Sequence, residues 1–195
     1  MLYCFIKQVM ILSDRDIKKG IAEGLIAVEP FDIAMVQPAS VDLRLGNKFL
    51  TFRSSSRGAI DVKEPVDDIM EEVLVEEGVP FVLHPGEFVL GVTFEKVGLS
   101  AGIVGQLNGK SSLGRLGIIV HATAGFIDPG NHLKPTLELH NIGKLPVNLY
   151  WKMPIAQISF TKLSSEAEEP YGAPTRKSKY FGDEGPTASK MHLNF

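Results

Sequence analysis

The chain has 195 residues, 44% hydrophobic and 22% charged, with a formal charge of -3 at pH 7. That length fits one domain, and a domain of this size buries roughly 70% of its unfolded surface, enough for a core without metal or disulfide help. The one cysteine, Cys4, excludes an intrachain disulfide and a Cys-rich zinc site. Mild acidity speaks against a duplex-DNA binder, which carries a basic face.

No run reaches the roughly 18 unbroken apolar residues of a membrane span. Residues 1–12 lack the basic region and small-residue cleavage site of a signal peptide. The expectation is a soluble, cytoplasmic protein that engages neither nucleic acid nor membrane. Met10-Ile-Leu-Ser-Asp reads as a natural beginning, with residues 1–9 as an extension.

Ser13-Asp-Arg-Asp16 is a helix-start signature, Ser13 capping and Asp16 reaching back, and Gly24 ends a short helix over about 14–23. Val41-Asp-Leu-Arg-Leu45 alternates, and Gly46-Asn47 then predicts a hairpin turn into Lys48–Phe52. Residues 54–78 are polar and acidic and read as a surface excursion with one helical turn. Strands are expected at 81–83, 88–94, 103–107, 117–121, 125–127, 136–140, 147–149 and 155–160, punctuated by Pro and Gly. Many short strands without intervening helices predict a mainly β fold, a β-barrel or jelly-roll-like sandwich carrying one short N-terminal helix. The domain is expected over 10–163, followed by a mobile tail over 164–195 that is rich in Glu, Pro, Gly, Ser and Lys.

Four stretches carry chemistry. Gly109-Lys-Ser-Ser-Leu-Gly-Arg115-Leu-Gly117 offers backbone N–H groups, hydroxyls and cations to phosphate oxygens, or is an ordinary turn with solvated charges. It is not a Walker A loop, since three residues separate Gly105 from Gly109, one short of that spacing. His121-Ala-Thr-Ala-Gly-Phe-Ile-Asp128-Pro-Gly130 is a small-residue run ending in a carboxylate. It suits a flat ring lying on backbone, or else is a strand and an Asp-Pro-Gly turn. In Thr136-Leu-Glu-Leu-His140, alternation puts Leu137 and Leu139 on one face and Thr136, Glu138 and His140 on the other. On a cleft, Glu138 is a proton-transfer group; on solvent, it is a polar strand residue. His121 and His140 show no metal spacing. In the tail, Tyr171 and Tyr180 interleave with Arg176, Lys177 and Lys179 and suit closure over a base and polyphosphate, or a disordered terminus.

Together, Met10–Asp14, Gln37-Pro-Ala-Ser-Val-Asp-Leu-Arg-Leu-Gly46, Leu83-His-Pro-Gly-Glu87, Gly109–Gly117, Thr123–Gly130, Thr136–Glu138 and Ser178-Lys-Tyr180 resemble the dCTP deaminase family of the trimeric dUTPase superfamily. The resemblance covers nearly the whole chain from Met10. It implies a dUTPase-like distorted β-barrel, assembled as a homotrimer with active sites shared between subunits. It also implies zinc-independent deamination of dCTP to dUTP and ammonia in pyrimidine deoxynucleotide synthesis. Glu138 matches the general base and acid, and Ser111 and Arg115 match the residues that hold the water and the triphosphate. Lys110, Ser112, Leu113, Gly114, Tyr171 and Lys179 match phosphate- or nucleotide-binding positions. Asp128, Thr136, Leu137 and Gln157 match contacts to sugar and base. Magnesium enters on the triphosphate.

The Thr123-Ala-Gly125-Phe-Ile-Asp128 form is similar to the dUMP-forming branch, in which Asp128 activates the water that attacks the α-phosphorus. The alternatives are a monofunctional deaminase releasing dUTP and a dUTPase without deaminase activity. Inhibition by dTTP, acting through Val120–Ala124 and the tail, is a further implication. Asp183 departs from the family pattern, which commonly has Gln there.

Overall fold

The computed structural model describes residues 10–53, 57–123 and 125–195. The extension 1–9 with Cys4, and Ala124 of the Val120–Ala124 segment, lie outside the described residues.

Ser13 caps the helix Asp14–Ala22 as its sequence requires, its hydroxyl accepting from the Asp16 N–H at 3.4 Å. Gly24 follows at φ +71°, a backbone conformation that suits glycine at a helix end. Apart from this helix and short helical turns, the described chain is strands and loops, and every strand pair is antiparallel.

Two sheets do most of the work. In one, Ile103–Gly109 and Pro154–Lys162 form the centre, flanked by Phe126–Ile127 on one side and Ser40–Arg44 with Val36–Gln37 on the other. In the second, the order is Ile118–Ile119, Thr136–Asn141, Phe88–Val92, Lys48–Phe52 and Met70–Leu74. Leu43, Leu137, Leu139, Ile155, Ile158 and Phe160 are fully buried in one core cluster, and Phe49 stacks on Phe81 with ring centroids 4.1 Å apart. The alternation of Thr136–Asn141 is what assigns Glu138: Leu137 and Leu139 enter the core, so the carboxylate must leave by the opposite face.

The structure departs from the sequence reading at Gly46. Ser40–Arg44 and Lys48–Phe52 do not form a hairpin; they belong to different sheets. Leu45 bridges to Thr93, and the Gly46 N–H donates to the Val92 carbonyl at 2.7 Å. A Cβ on Gly46 would stand 2.7 Å from the Val92 side chain, so this glycine serves a close crossing between sheets. The acidic excursion also holds more order than its composition suggests. Met70–Leu74 pairs along the whole of Lys48–Phe52, and Val66, Ile69 and Met70 are buried in a second apolar cluster with Leu90 and Ala188. Charged residues there face out while every few residues an apolar one turns in.

Candidate active site

Two hollows border these sheets. The larger, about 520 Å³, is lined by Asp128, Thr136, Glu138 and Tyr171 among the residues singled out from sequence, and also by His121, Tyr180 and Asp183. The excursion and its neighbours supply an apolar wall of Phe52, Ile60, Val62, Met70, Phe88 and Leu90. Sequence reading missed that wall, because residues 54–78 look like solvated surface.

The Glu138 carboxylate is held by the chain just after the phosphate-type loop. Its Oε2 accepts from the backbone N–H of Ala122 at 2.8 Å and of Thr123 at 3.1 Å. Among the described residues its Oε1 has only the Thr123 hydroxyl, which stands 3.5 Å from both carboxylate oxygens. One oxygen is therefore fixed by the fold while the other keeps lone pairs open to a substrate proton. Asp128 is exposed on the same cavity, two strand-end residues beyond Phe126. Leu137 turns its side chain wholly into the core. His140 packs edge-on against Phe88.

Gly125 is enforced by crowding. A Cβ there would stand 2.5 Å from the Leu107 carbonyl oxygen and 2.6 Å from Gln106 Nε2. The Leu107 N–H donates to the Gly125 carbonyl at 2.6 Å, drawing this segment onto the central strand.

The second hollow, about 430 Å³, is lined by Lys110, Ser111, Ser112, Gly114 and Gln157. Ser111–Gly114 is a single helical turn anchored by buried Leu113, which leaves Ser111, Ser112 and Gly114 exposed. Gly117, at φ +83°, ends the loop against Gly143, where a Cβ would meet backbone at 2.9 Å. Lys110 is ion-paired to Asp42 at 2.6 Å, a partner that sequence reading did not assign. Arg115 is exposed and lines neither hollow. His121 borders both hollows, and both its ring nitrogens are buried without a hydrogen-bond partner among the described residues.

The tail packs on the barrel. The Tyr171 N–H donates to the Pro129 carbonyl at 2.8 Å, Gly182 to His132 at 3.1 Å, and the Thr187 N–H to the Thr136 hydroxyl at 3.3 Å. The Lys134 N–H donates to the Asp183 carbonyl at 2.8 Å. Tyr171 and Tyr180 are joined by the Tyr180 N–H donating to the Tyr171 hydroxyl at 3.1 Å. Lys179 lines neither hollow and donates instead to Asn194 at 2.5 Å. Asp183 pairs with Lys190 at 3.3 Å through Oδ1, leaving Oδ2 buried and unpartnered among the described residues.

The family model for dCTP deaminase-like domains matches residues 11–163. An enzyme of Corynebacterium kroppenstedtii named dCTP deaminase, dUMP-forming, is 50% identical over 186 residues, 95% of this chain and 100% of that one. One of the same name from Dictyoglomus thermophilum is 54% identical over 189 residues, 95% of this chain and 97% of its own. Among solved structures, the 2'-deoxycytidine 5'-triphosphate deaminase from Agrobacterium tumefaciens superposes with a TM-score of 0.64 at 27% identity, covering 80% of this chain and 49% of that one. The mainly β architecture, the family match and the near end-to-end identity agree, and this chain belongs to the dCTP deaminase-like family.

Proposed function

We propose that the protein hydrolyses dCTP to dUTP and ammonia and carries dUTP on to dUMP and pyrophosphate. The support is identity of about half with enzymes named dUMP-forming dCTP deaminases along nearly their whole length. The observation that carries the chemistry is that Glu138 and Asp128, two carboxylates, line one cavity with Tyr171. In the first step Glu138 takes a proton from water, the hydroxide adds to C4 of the cytosine, and the proton passes to N3. Glu138 then takes the proton of the C4 hydroxyl and gives it to the amino nitrogen, so that collapse of the tetrahedral adduct expels ammonia and leaves the carbonyl of uracil. The open Oε1 suits that transfer, since Oε2 is occupied by two backbone donors. In the second step Asp128 activates a water for attack on the α-phosphorus, and pyrophosphate leaves. Lys110, Ser111, Ser112 and Arg115 hold the phosphates, and magnesium arrives on the triphosphate as part of the substrate.

The working unit in this reading is a homotrimer. Within one chain the Ser111 loop and Glu138 belong to separate hollows, and Arg115 faces neither. Exposed Leu116, Ile142 and Leu145 give the loop's surroundings an apolar surface suited to a neighbouring subunit. Joining one chain's loop to another's Glu138 makes the site complete. Light scattering then returns three times the 21.3 kDa chain, and a monomer that is fully active refutes the shared site.

The deciding experiment incubates the protein with dCTP and, separately, dUTP in magnesium, resolving nucleotides by chromatography and assaying ammonia. Ammonia with dUMP supports the reading. Ammonia with dUTP alone marks a monofunctional deaminase, and cleavage of dUTP without ammonia from dCTP marks a dUTPase. Retention of dTTP as a competitor in the same assay tests its proposed inhibitory role.

A further inference from the structure

The triphosphate reading of the Lys110 loop leaves out one residue, and the inference rests on that reading. Asp42 lies on the strand Ser40–Arg44, opposite Gln157 in the sheet register, and is 7% exposed. Its Oδ2 accepts from Lys110 Nζ at 2.6 Å and from Gln37 Nε2 at 3.4 Å, while Oδ1 is buried without a partner among the described residues. Lys110 in turn lines the polar hollow with Ser111, Ser112 and Gln157.

An ion pair between two exposed side chains contributes little, because each spends rotamer freedom to meet the other. Here one partner is already immobile, a short carboxylate buried on a central sheet, so only the lysine is ordered by the contact. Fixing a lysine costs up to roughly 2 kcal/mol of side-chain entropy. A lysine already fixed before the ligand arrives does not spend that at binding. The ammonium has more donors than the single carboxylate oxygen takes up, leaving N–H groups for phosphate.

We propose that Asp42 is a positioning residue for the reaction: acting through Lys110, it holds the ammonium at the polar hollow in the place where the phosphates of a nucleoside triphosphate bind. The carboxylate also offsets part of the ammonium's charge, which works against phosphate binding, so the net effect has a sign that experiment can reverse. Because the action passes through phosphate contacts, it concerns the triphosphate end and not the chemistry at the base.

The test compares wild type, Asp42→Asn, Asp42→Glu, Lys110→Met and the Asp42→Asn/Lys110→Met double variant. It reads steady-state deamination of dCTP and calorimetric binding of inorganic tripolyphosphate. Asp42→Asn is expected to raise KM for dCTP about tenfold, within the rotamer entropy of one lysine, with kcat changed by less than about twofold. Tripolyphosphate affinity falls by the same factor, and Asp42→Asn adds no further loss in the Lys110→Met background. Asp42→Glu, which shifts the carboxylate by one methylene, gives a rise of about threefold and carries the test if Asp42→Asn does not fold. An unchanged or lowered KM in these variants, or losses that multiply in the double variant, overturns the proposal. A wild type that releases no ammonia from dCTP overturns the deaminase reading instead, and the tripolyphosphate arm then decides the role of Asp42 alone.

Discussion

The two hollows differ in how much of the fold stands behind them. Around Glu138 the cavity is walled by strands, by the excursion from 60 to 70, and by the tail, and the carboxylate is gripped by two backbone donors. Around Ser111 the hollow is a more open face built on one helical turn and the strand ends beside it, with Leu113, Ile118 and Val120 buried beneath. The first is pre-organised by one chain. The second presents hydroxyls and a cation to whatever covers it. Acid–base chemistry needs a carboxylate fixed to within fractions of an ångström, whereas holding a polyphosphate needs charge and donors at a surface.

The contrast can be broken most severely at Glu138. Glu138→Gln preserves shape and both backbone contacts, and should lower ammonia release from dCTP by roughly 10²–10⁴-fold while equilibrium binding of dCTP persists. Turnover at the wild-type rate would remove Glu138 from the chemistry. Next in size is Asp128→Asn, read by the ratio of products. Loss of about 10²-fold or more in dUMP formation with ammonia release maintained assigns Glu138 and Asp128, which share one cavity, to two steps. Equal loss of both products would merge them.

A smaller effect belongs to Arg115, which lines neither hollow of its own chain and reaches the triphosphate in the proposed trimer. Arg115→Ala removes a charge-assisted contact of about 1.5–3 kcal/mol, equivalent to roughly a tenfold to hundredfold rise in KM for dCTP. Deoxycytidine monophosphate, lacking the outer phosphates, should show a much smaller penalty.

The smallest concerns the tail. The Lys96 ammonium bonded to Glu184 holds that carboxyl below its usual range. A depressed carboxylate pKa means a contact present at neutral pH and lost as pH falls through the depressed value. Protection of the amides at 184–187, corrected for intrinsic exchange, should therefore persist through the usual carboxylate range and be lost only below it. Glu184→Gln should show the reduced protection already at neutral pH, with kcat/KM moved less than about twofold, since the Glu184 side chain is exposed.

Much of the β architecture was legible because alternation and punctuation are local. Val147–Leu149 and Phe81–Leu83 have the bounds expected of them, and Thr136–Asn141 extends its predicted span by one residue. Pairing was not legible. Gly46-Asn47 carries the chemistry of a hairpin turn, and only the approach of Val92 from elsewhere in the chain makes it a crossing. Short strands such as Lys96–Leu99 and His132–Leu133 were passed over because their partners are remote in sequence.

At the site, the residue types in the Gly109–Gly117 and Thr136–His140 stretches announced themselves. The grip of Ala122 and Thr123 on Glu138 did not, because it is made by backbone. Nor did Asp42, whose partner Lys110 lies 68 residues further along the chain.

The tail's attachments follow a direction. Tyr171 meets Pro129, Gly182 meets His132, Asp183 meets Lys134, and Thr187 meets Thr136, so the two segments ascend side by side. They behave as a zip whose teeth run toward Glu138. Past Thr187 the fastening changes character, for Ala188 is buried among Val66, Ile69, Met70 and Leu90. The end of the tail is thereby tied to the same acidic excursion that walls the Glu138 cavity, so a disturbance of either is felt by the other.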